Sequence, residues 1–580
     1  MYAILAKFER PLARRVAIAL GLLLVAPCLL SGFTLDDFAL LEQLSNHADK
    51  RWAGSAPFDL FRWVDPAHTH ALMDRGGLSW WLYDRALLSF MRPLSSLSHS
   101  FDYALWPNSA FAAHLHSWLW FALLLVAAAA AYRSLIANRW TAGVAAAMFA
   151  LDSAHGATVS WISNRNALIS GTFAIAALLC HHRARSGAGR SYAWLAWLSL
   201  GASLFASELG VSGAAFLAAY ALWYERGAWK NRALSLAPYA LVIFGWAAAR
   251  GAGQYGSIGG FASYVDPLHE PVRFLAMLPG RVIMLIASQL THLSADLYSL
   301  SDLGVRPFVL AAGVLGCAAL GWFLWPSLRN DRTSRFFCLA GVLSALPLAG
   351  SMAADRLLTL VGFGLLPALA DAMRRALDVD VAAFGQRIHP LRTAAAVLLV
   401  LLHLMIDPLV LPATSLATML YSEQIEMLAD SIPVPAGSTD RVVIVAEMPH
   451  AGMFNYVASM RRVRGKPEAR LYSLFGAEWE ARFERRGERV LRVTSERGFF
   501  SPNWDDRSPQ LPLAAGERIE LSELSIHVLD VTPDGRPARV DFEFREPLES
   551  ARYVWMTWQT DRLVPFRPPE DGEPEVVAGR

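Results

Sequence analysis

Ser31-Gly32-Phe33-Thr34-Leu35-Asp36-Asp37-Phe38-Ala39-Leu40-Leu41-Glu42 is the stretch on which the reading of this chain turns. An apolar segment, 16–30, ends just before it, and an amphipathic run begins inside it. Two adjacent carboxylates, Asp36 and Asp37, stand at that junction. Thr34 and Asp37 have the spacing of a capping box, and negative charge suits a helix N-terminus. A carboxylate pair at a membrane surface can also act as a general base toward a hydroxyl, or hold a divalent cation.

Outward from this stretch the chain reads as a polytopic α-helical membrane protein. Hydrophobic residues make up 54% of the 580, with 20 tryptophans, while the net charge of +2 gives no reason to expect nucleic acid as a partner. Lys7, Arg10, Arg14 and Arg15 precede the first apolar segment and predict an uncleaved anchor with its N-terminus in the cytoplasm. Residues 33–110 then form a long extracytoplasmic loop, in which Trp80, Trp81 and Tyr83 suit a segment at the bilayer interface. Further spans are expected at about 111–131, 140–153, 164–181, 192–206, 210–224, 234–250, 307–325, 336–351, 357–373 and 391–411, about eleven in all with the anchor. Segment 275–293, which holds Arg281, Gln289 and His292, reads as re-entrant or interfacial, because a full span there would put the basic loop around Arg329, Arg332 and Arg335 outside. Cys28, Cys180, Cys317 and Cys338 lie in apolar stretches without metal-ligand spacing.

The domains expected are a transmembrane part over 1–411, a linker over 412–440 and a β-rich extracytoplasmic part over 441–580 with an acidic, Pro-rich tail. Strand patterns fall at 442–446, 489–493, 519–529, 540–544 and 553–558, with a turn at Pro533-Asp534-Gly535. This part carries no nucleophile, phosphate-loop or metal motif, so it reads as a recognition or docking module.

With that topology the unusual polar residues of the membrane part collect on one side. They are Asp36, Asp37, Arg92, His114, His116, His155, Asn164, Arg165, Glu208, Asp355 and Arg356. Ionisable groups at membrane depth cost roughly 2.5–3.5 kcal/mol each, so they pair or serve a function. The bland readings are helix-end satisfaction for His114 and His116, snorkelling for Arg165, capping for Glu208, and an Asp355–Arg356 pair. Taken together, carboxylates, imidazoles and guanidiniums on one face suit a phosphate-bearing substrate.

The ordered blocks Thr34-Leu35-Asp36-Asp37, Met91-Arg92-Pro93-Leu94, the His114-bearing helix start, His155 through Trp161 to Asn164-Arg165, Ser207-Glu208, and Asp355-Arg356 carry a resemblance. Their order resembles the GT-C polyprenyl-phosphate-sugar glycosyltransferases, closest to the tetratricopeptide-containing transmembrane O-mannosyltransferase group and its bacterial relatives. It covers roughly 30–375. Met91, Ser117, Ser153, Gly156, Ser207 and Leu357 depart from that group's blocks, and the β-rich part stands where the group has its repeats.

The resemblance implies transfer of a sugar from a polyprenyl-phosphate donor to a hydroxyl on a protein or cell-surface glycan. Membrane lipid would surround the site, on the periplasmic face of a bacterial inner membrane. Asp37 or Asp36 would be the base, and Arg92, Arg165, Arg356 and His155 would meet the donor phosphate. His114, His116, Asn164, Glu208 and Asp355 would stand nearby. A divalent cation on Asp36 and Asp37 is compatible with this chemistry but not required by it. A glycolipid transporter and a non-catalytic lipid-glycan binder or assembly scaffold remain alternative readings of the same residues.

Overall fold

The computed structural model describes residues 6–577 apart from 46–51, 260–263, 302–303, 378–389, 434–440, 449–452, 468–469, 502–506, 509, 561 and 573. Among the described residues, seven helices are long and apolar enough to cross a membrane: Pro11–Leu30, Ala110–Leu135, Ile162–Arg185, Trp229–Ala252, Pro271–Thr291, Arg306–Asn330 and Pro390–Ser431. Shorter helices fill the space between them. Arg139–Leu151 and Thr359–Ala376 are buried along almost their whole length, so the bundle rather than lipid surrounds them. Backbones come close there. A Cβ on Gly364 would lie 2.4 Å from the Cα of Gly341, so helices Arg332–Leu348 and Thr359–Ala376 pack without side chains between them at that point.

Pro271–Thr291, about 31 Å long at 1.5 Å per residue, enters the bundle beside the C-terminal part. At its start, Glu270 accepts a hydrogen bond from Ser508 Oγ of the C-terminal part at 2.9 Å. At its finish, Ser288 Oγ and Ser294 Oγ donate to Asp355 at 2.6 and 2.7 Å. Thr291 lies against Gly316, midway along the next long helix. The helix therefore descends into the bundle from the β-rich end, and the short helix Ala295–Leu300 turns the chain back. Buried Arg281, bonded to the Ala349 carbonyl at 2.8 Å, accounts for a path inside protein.

The C-terminal part holds two sheets. One is six-stranded and antiparallel; the other is four-stranded, with Val442–Glu447 parallel to both Arg470–Phe475 and Tyr553–Gln559. Helix Met453–Val463 makes the crossover between the first two of these strands. Strand alternation places Val442, Ile444 and Ala446 in one apolar core and Val443 and Val445 in another.

Three expectations need correction. Residues 417–431, expected as linker, form the helix Ala417–Ser431, whose Ile425, Leu428 and Ala429 pack with Phe38 and the sheet; 434–440 lie outside the described residues. Trp80 and Trp81 are not at a bilayer interface. They are 3% and 0% exposed: Trp81 stacks on Phe500 at 5.7 Å, and Trp80 meets Phe499 and Phe542 edge-on. The C-terminal part is also no separate module, because loop 33–110 and the sheets share one apolar core. Aromatic side chains bury 150–250 Å² each, and here a protein surface rather than lipid covers them. Gly76 marks the seam: its φ is +70°, and a Cβ there would lie 2.1 Å from the Leu471 carbonyl oxygen.

Candidate active site

Helix Asp36–Leu44 begins at a strained residue. Leu35, its N-cap, has φ 47° and ψ −119°, a conformation that disfavours a side chain. The sharp entry sends the two carboxylates in different directions.

Asp37 points inward and is 2% exposed. Its Oδ2 accepts from Thr34 N at 2.9 Å and Thr34 Oγ1 at 3.2 Å, and its Oδ1 accepts from Ser163 N at 2.8 Å. Burial nevertheless lifts its pKa to about 7. The carboxylate half of the capping box is thus present, and the same side chain ties helix Asp36–Leu44 to the turn Ile162–Asn164.

Asp36 is half-buried and accepts a hydrogen bond from the Tyr456 hydroxyl. The guanidiniums of Arg356 and Arg92 act on it. Burial pushes its carboxyl above the usual range, and the Tyr456 bond and the two arginines pull it back. Burial and the Asp36 charge hold Tyr456 well above the ordinary phenol range, so it stays a donor.

Each arginine is held from behind. Arg92 donates from Nε to Glu208 Oε2 at 2.8 Å and lies over Phe90 at 4.4 Å and Phe61 at 5.1 Å. Ser207, not Glu208, caps the turn there. Arg356 lies over Trp161 at 5.1 Å. Asp355 does not pair with it: Asp355 accepts from Ser288 Oγ, Ser294 Oγ and Ala295 N, fixing the turn from which Arg356 projects. One carboxylate, one phenol and two positioned guanidiniums therefore act on one another where the bundle joins the C-terminal part.

Other residues expected at the site lie elsewhere. Arg165 is fully buried and spent: it pairs with Asp102 at 2.5 Å and donates to Ser117 Oγ, Ser98 Oγ and the Ala113 carbonyl. His116 belongs to the same network, 2.6 Å from Asp102. His114 reaches the Gly32 carbonyl at 3.1 Å. His155 is 1% exposed, bonded to the Phe149 carbonyl at 2.9 Å and packed on Phe121 and Phe149. Asn164 sits on the turn that anchors Asp37, with a buried Nδ2 lacking a hydrogen-bond partner. Both oxygens of Asp37 accept hydrogen bonds from the chain, and positive charge already acts on Asp36.

Two participants were missed from sequence. Tyr456 lies on helix Met453–Val463, whose amphipathic period (Val457 and Met460 inward, Arg461 and Arg462 following) was the available signal. Asp102 left no local signal, since its partners are 14 and 63 residues away.

With its long apolar helices, its buried ion pairs and the docked sheets, the chain is a multi-pass membrane protein with a β-rich C-terminal part. No family model matches it and no curated protein matches it. Among solved structures, the Archaeoglobus fulgidus oligosaccharyltransferase in the apo form is similar over 78% of this chain (12% identity, TM-score 0.41), and this chain spans 64% of that one. ArnT from Cupriavidus metallidurans bound to undecaprenyl phosphate is similar over 79% of this chain and 89% of its own (12% identity, TM-score 0.35). AglB from Archaeoglobus fulgidus, in complex with an inhibitory peptide and a dolichol-phosphate, covers 79% of this chain and 64% of its own (12% identity, TM-score 0.38). At such scores the likeness lends the site no weight, and the site stands on its own geometry.

Proposed function

We propose that the protein is a membrane glycosyltransferase of the GT-C type. It moves a sugar from a polyprenyl-phosphate carrier to a hydroxyl of a protein or cell-surface glycan, on the periplasmic face of a bacterial inner membrane. The observation that carries this reading is Asp36, bonded by Tyr456 and attended by Arg92 and Arg356 at one end of an apolar helix bundle. The ordered sequence blocks support the same reading.

In this mechanism Asp36, not Asp37, takes the proton from the acceptor hydroxyl. The freed oxygen bonds to the anomeric carbon as the carbon–oxygen bond to phosphate breaks, which inverts that centre. The leaving polyprenyl phosphate gains negative charge, and Arg92 and Arg356 stabilise it where it develops. A raised Asp36 pKa makes a stronger base near neutral pH. Asp37, with its oxygens occupied, holds the helix start in place.

The test uses purified full-length protein and undecaprenyl-phosphate mannose, with mass spectrometry of released undecaprenyl phosphate and of mannosylated acceptor. Asp36→Asn should lower turnover roughly 10²–10⁴-fold while protein level and donor binding persist. Arg356→Ala should weaken donor binding as well. Full transfer by the Asp36→Asn protein would sink the mechanism and leave a lipid-glycan binder as the better account.

A further inference from the structure

A second polar cluster lies deeper in the bundle, and the mechanism above makes no use of it. His292, His403 and Asp407 each offer one ligand atom within 4.8 Å of the other two. His292 Nε2 is 3.4 Å from His403 Nδ1, which is 3.3 Å from Asp407 Oδ2. A tetrahedral ion with bonds of about 2.0–2.1 Å sets its ligand atoms roughly 3.3 Å apart.

The backbone is irregular at the two histidines and just before the aspartate. His292 closes helix Pro271–Thr291 in the left-handed conformation, φ 62°, without being glycine. His403 lies in the π-helical turn Leu402–Ile406, and Asp407 follows that turn directly. π-turns and left-handed non-glycine residues are costly and gather at functional positions.

The hydrogen bonding is incomplete in a way an ion would complete. Asp407 and His403 are each 1% exposed. Ser153 donates from N and Oγ to Asp407 Oδ1, at 3.2 and 2.6 Å, which orients the carboxylate. The other oxygen, Oδ2, is buried without a hydrogen-bond partner and lies on the side of His403 Nδ1. The charged groups acting on His292 are Asp407, His403, Asp152 and Asp355, so carboxylates predominate around it.

We propose that His292, His403 and Asp407 bind one divalent transition-metal ion of the Zn²⁺ class, pinning the end of the descending helix to the Pro390–Ser431 helix. Two imidazoles and a carboxylate are borderline donors suited to Zn²⁺ or Co²⁺ rather than Mg²⁺ or Ca²⁺. A water would take the fourth position. The pin bears on the candidate active site through two residues of chain, since Ser294 and Ala295 hold Asp355 beside Arg356. The ion is structural and enters no reaction step, so the proposal does not depend on the reaction catalysed.

The experiment is elemental analysis of the full-length protein purified in detergent without chelator, followed by chelator treatment and titration with Co²⁺. About one ion per chain is expected, with an intense tetrahedral Co²⁺ absorption on reloading and a lower melting temperature after chelation. His292→Gln and His403→Gln should each lose the ion, while Asp36→Asn should retain it. If those variants fail to fold, the Co²⁺ spectrum and chelator response of the unaltered protein decide alone. A protein that carries no stoichiometric ion and takes up no Co²⁺ overturns the proposal. So does loss of the ion in Asp36→Asn with retention in both histidine variants, which would put it at the acidic pair.

Discussion

Asp36 and Asp407 are both acidic groups set into the same helix bundle, and they keep opposite company. Two guanidiniums and a phenol act on Asp36. Asp407 is met by two imidazoles and a serine, with Asp152 nearby. Guanidiniums with fixed geometry and N–H donors to spare suit a ligand that brings phosphate; carboxylates beside imidazole nitrogens suit one that brings positive charge. Another acidic group of the bundle, Asp102, shows a balanced case. Arg165 and His116 answer it fully, and nothing is left over for a ligand. What distinguishes a site from scaffolding here is whether the groups around a carboxylate keep hydrogen-bonding capacity to spare, not its burial.

Breaking the balanced case should have the largest effect on the fold. Arg165→Met leaves Asp102 buried with only His116, and removing one partner of a buried pair costs about 3–5 kcal/mol. Denaturation in detergent should report that loss, while the folded fraction keeps its donor affinity. A selective loss of donor affinity in folded protein would return Arg165 to the phosphate site.

Asp37→Asn sharpens the contrast between the adjacent carboxylates. Both oxygens accept from backbone N–H groups, so the new amide must face one donor with another, at a cost of about 1–3 kcal/mol. Its pH dependence has a definite sign. The folded pKa of about 7 exceeds the ordinary carboxyl value, so the stability Asp37 supplies is complete below the unfolded pKa. That stability is lost as pH rises toward 7. Melting curves of the Asn protein should lack this decline, and turnover per folded molecule should be nearly normal.

The smallest expected effect is a displacement of a pH profile. Turnover should fall on the acid side at a higher pH than a solvent-exposed aspartate would give, because burial raises Asp36. Arg356→Ala removes a charge that favours the ionised form, so the acid limb should move further up. A limb that ignores the substitution would mean Asp36 is not the titrating base.

Much of the scaffold was legible in the chain. The long apolar runs and the strand patterns beyond 441 follow from periodicity and length. The junction at Asp36 and Asp37 was legible as well, since charge beside an apolar run stands out. The division of labour between the two was not: it depends on the Leu35 backbone and on Ser163, 126 residues from Asp37. Trp80 and Trp81 misled for a related reason. An aromatic pair after a span has the same composition whether lipid or a sheet 400 residues later covers it.

By itself the sequence determined that the chain is an apolar helix bundle followed by a β-rich region, with ionisable residues gathered near helix ends. Those properties come from local hydropathy and turn chemistry, which neighbouring residues decide among themselves. Tertiary structure alone decided which carboxylate faces the arginines, which arginine is spent inside the bundle, and that helix Met453–Val463 supplies Tyr456. It alone brought His292, His403 and Asp407 together. Each of those outcomes is a balance of charge and hydrogen bonds between groups far apart along the chain, and only the packed fold brings the terms of that balance within a few ångströms.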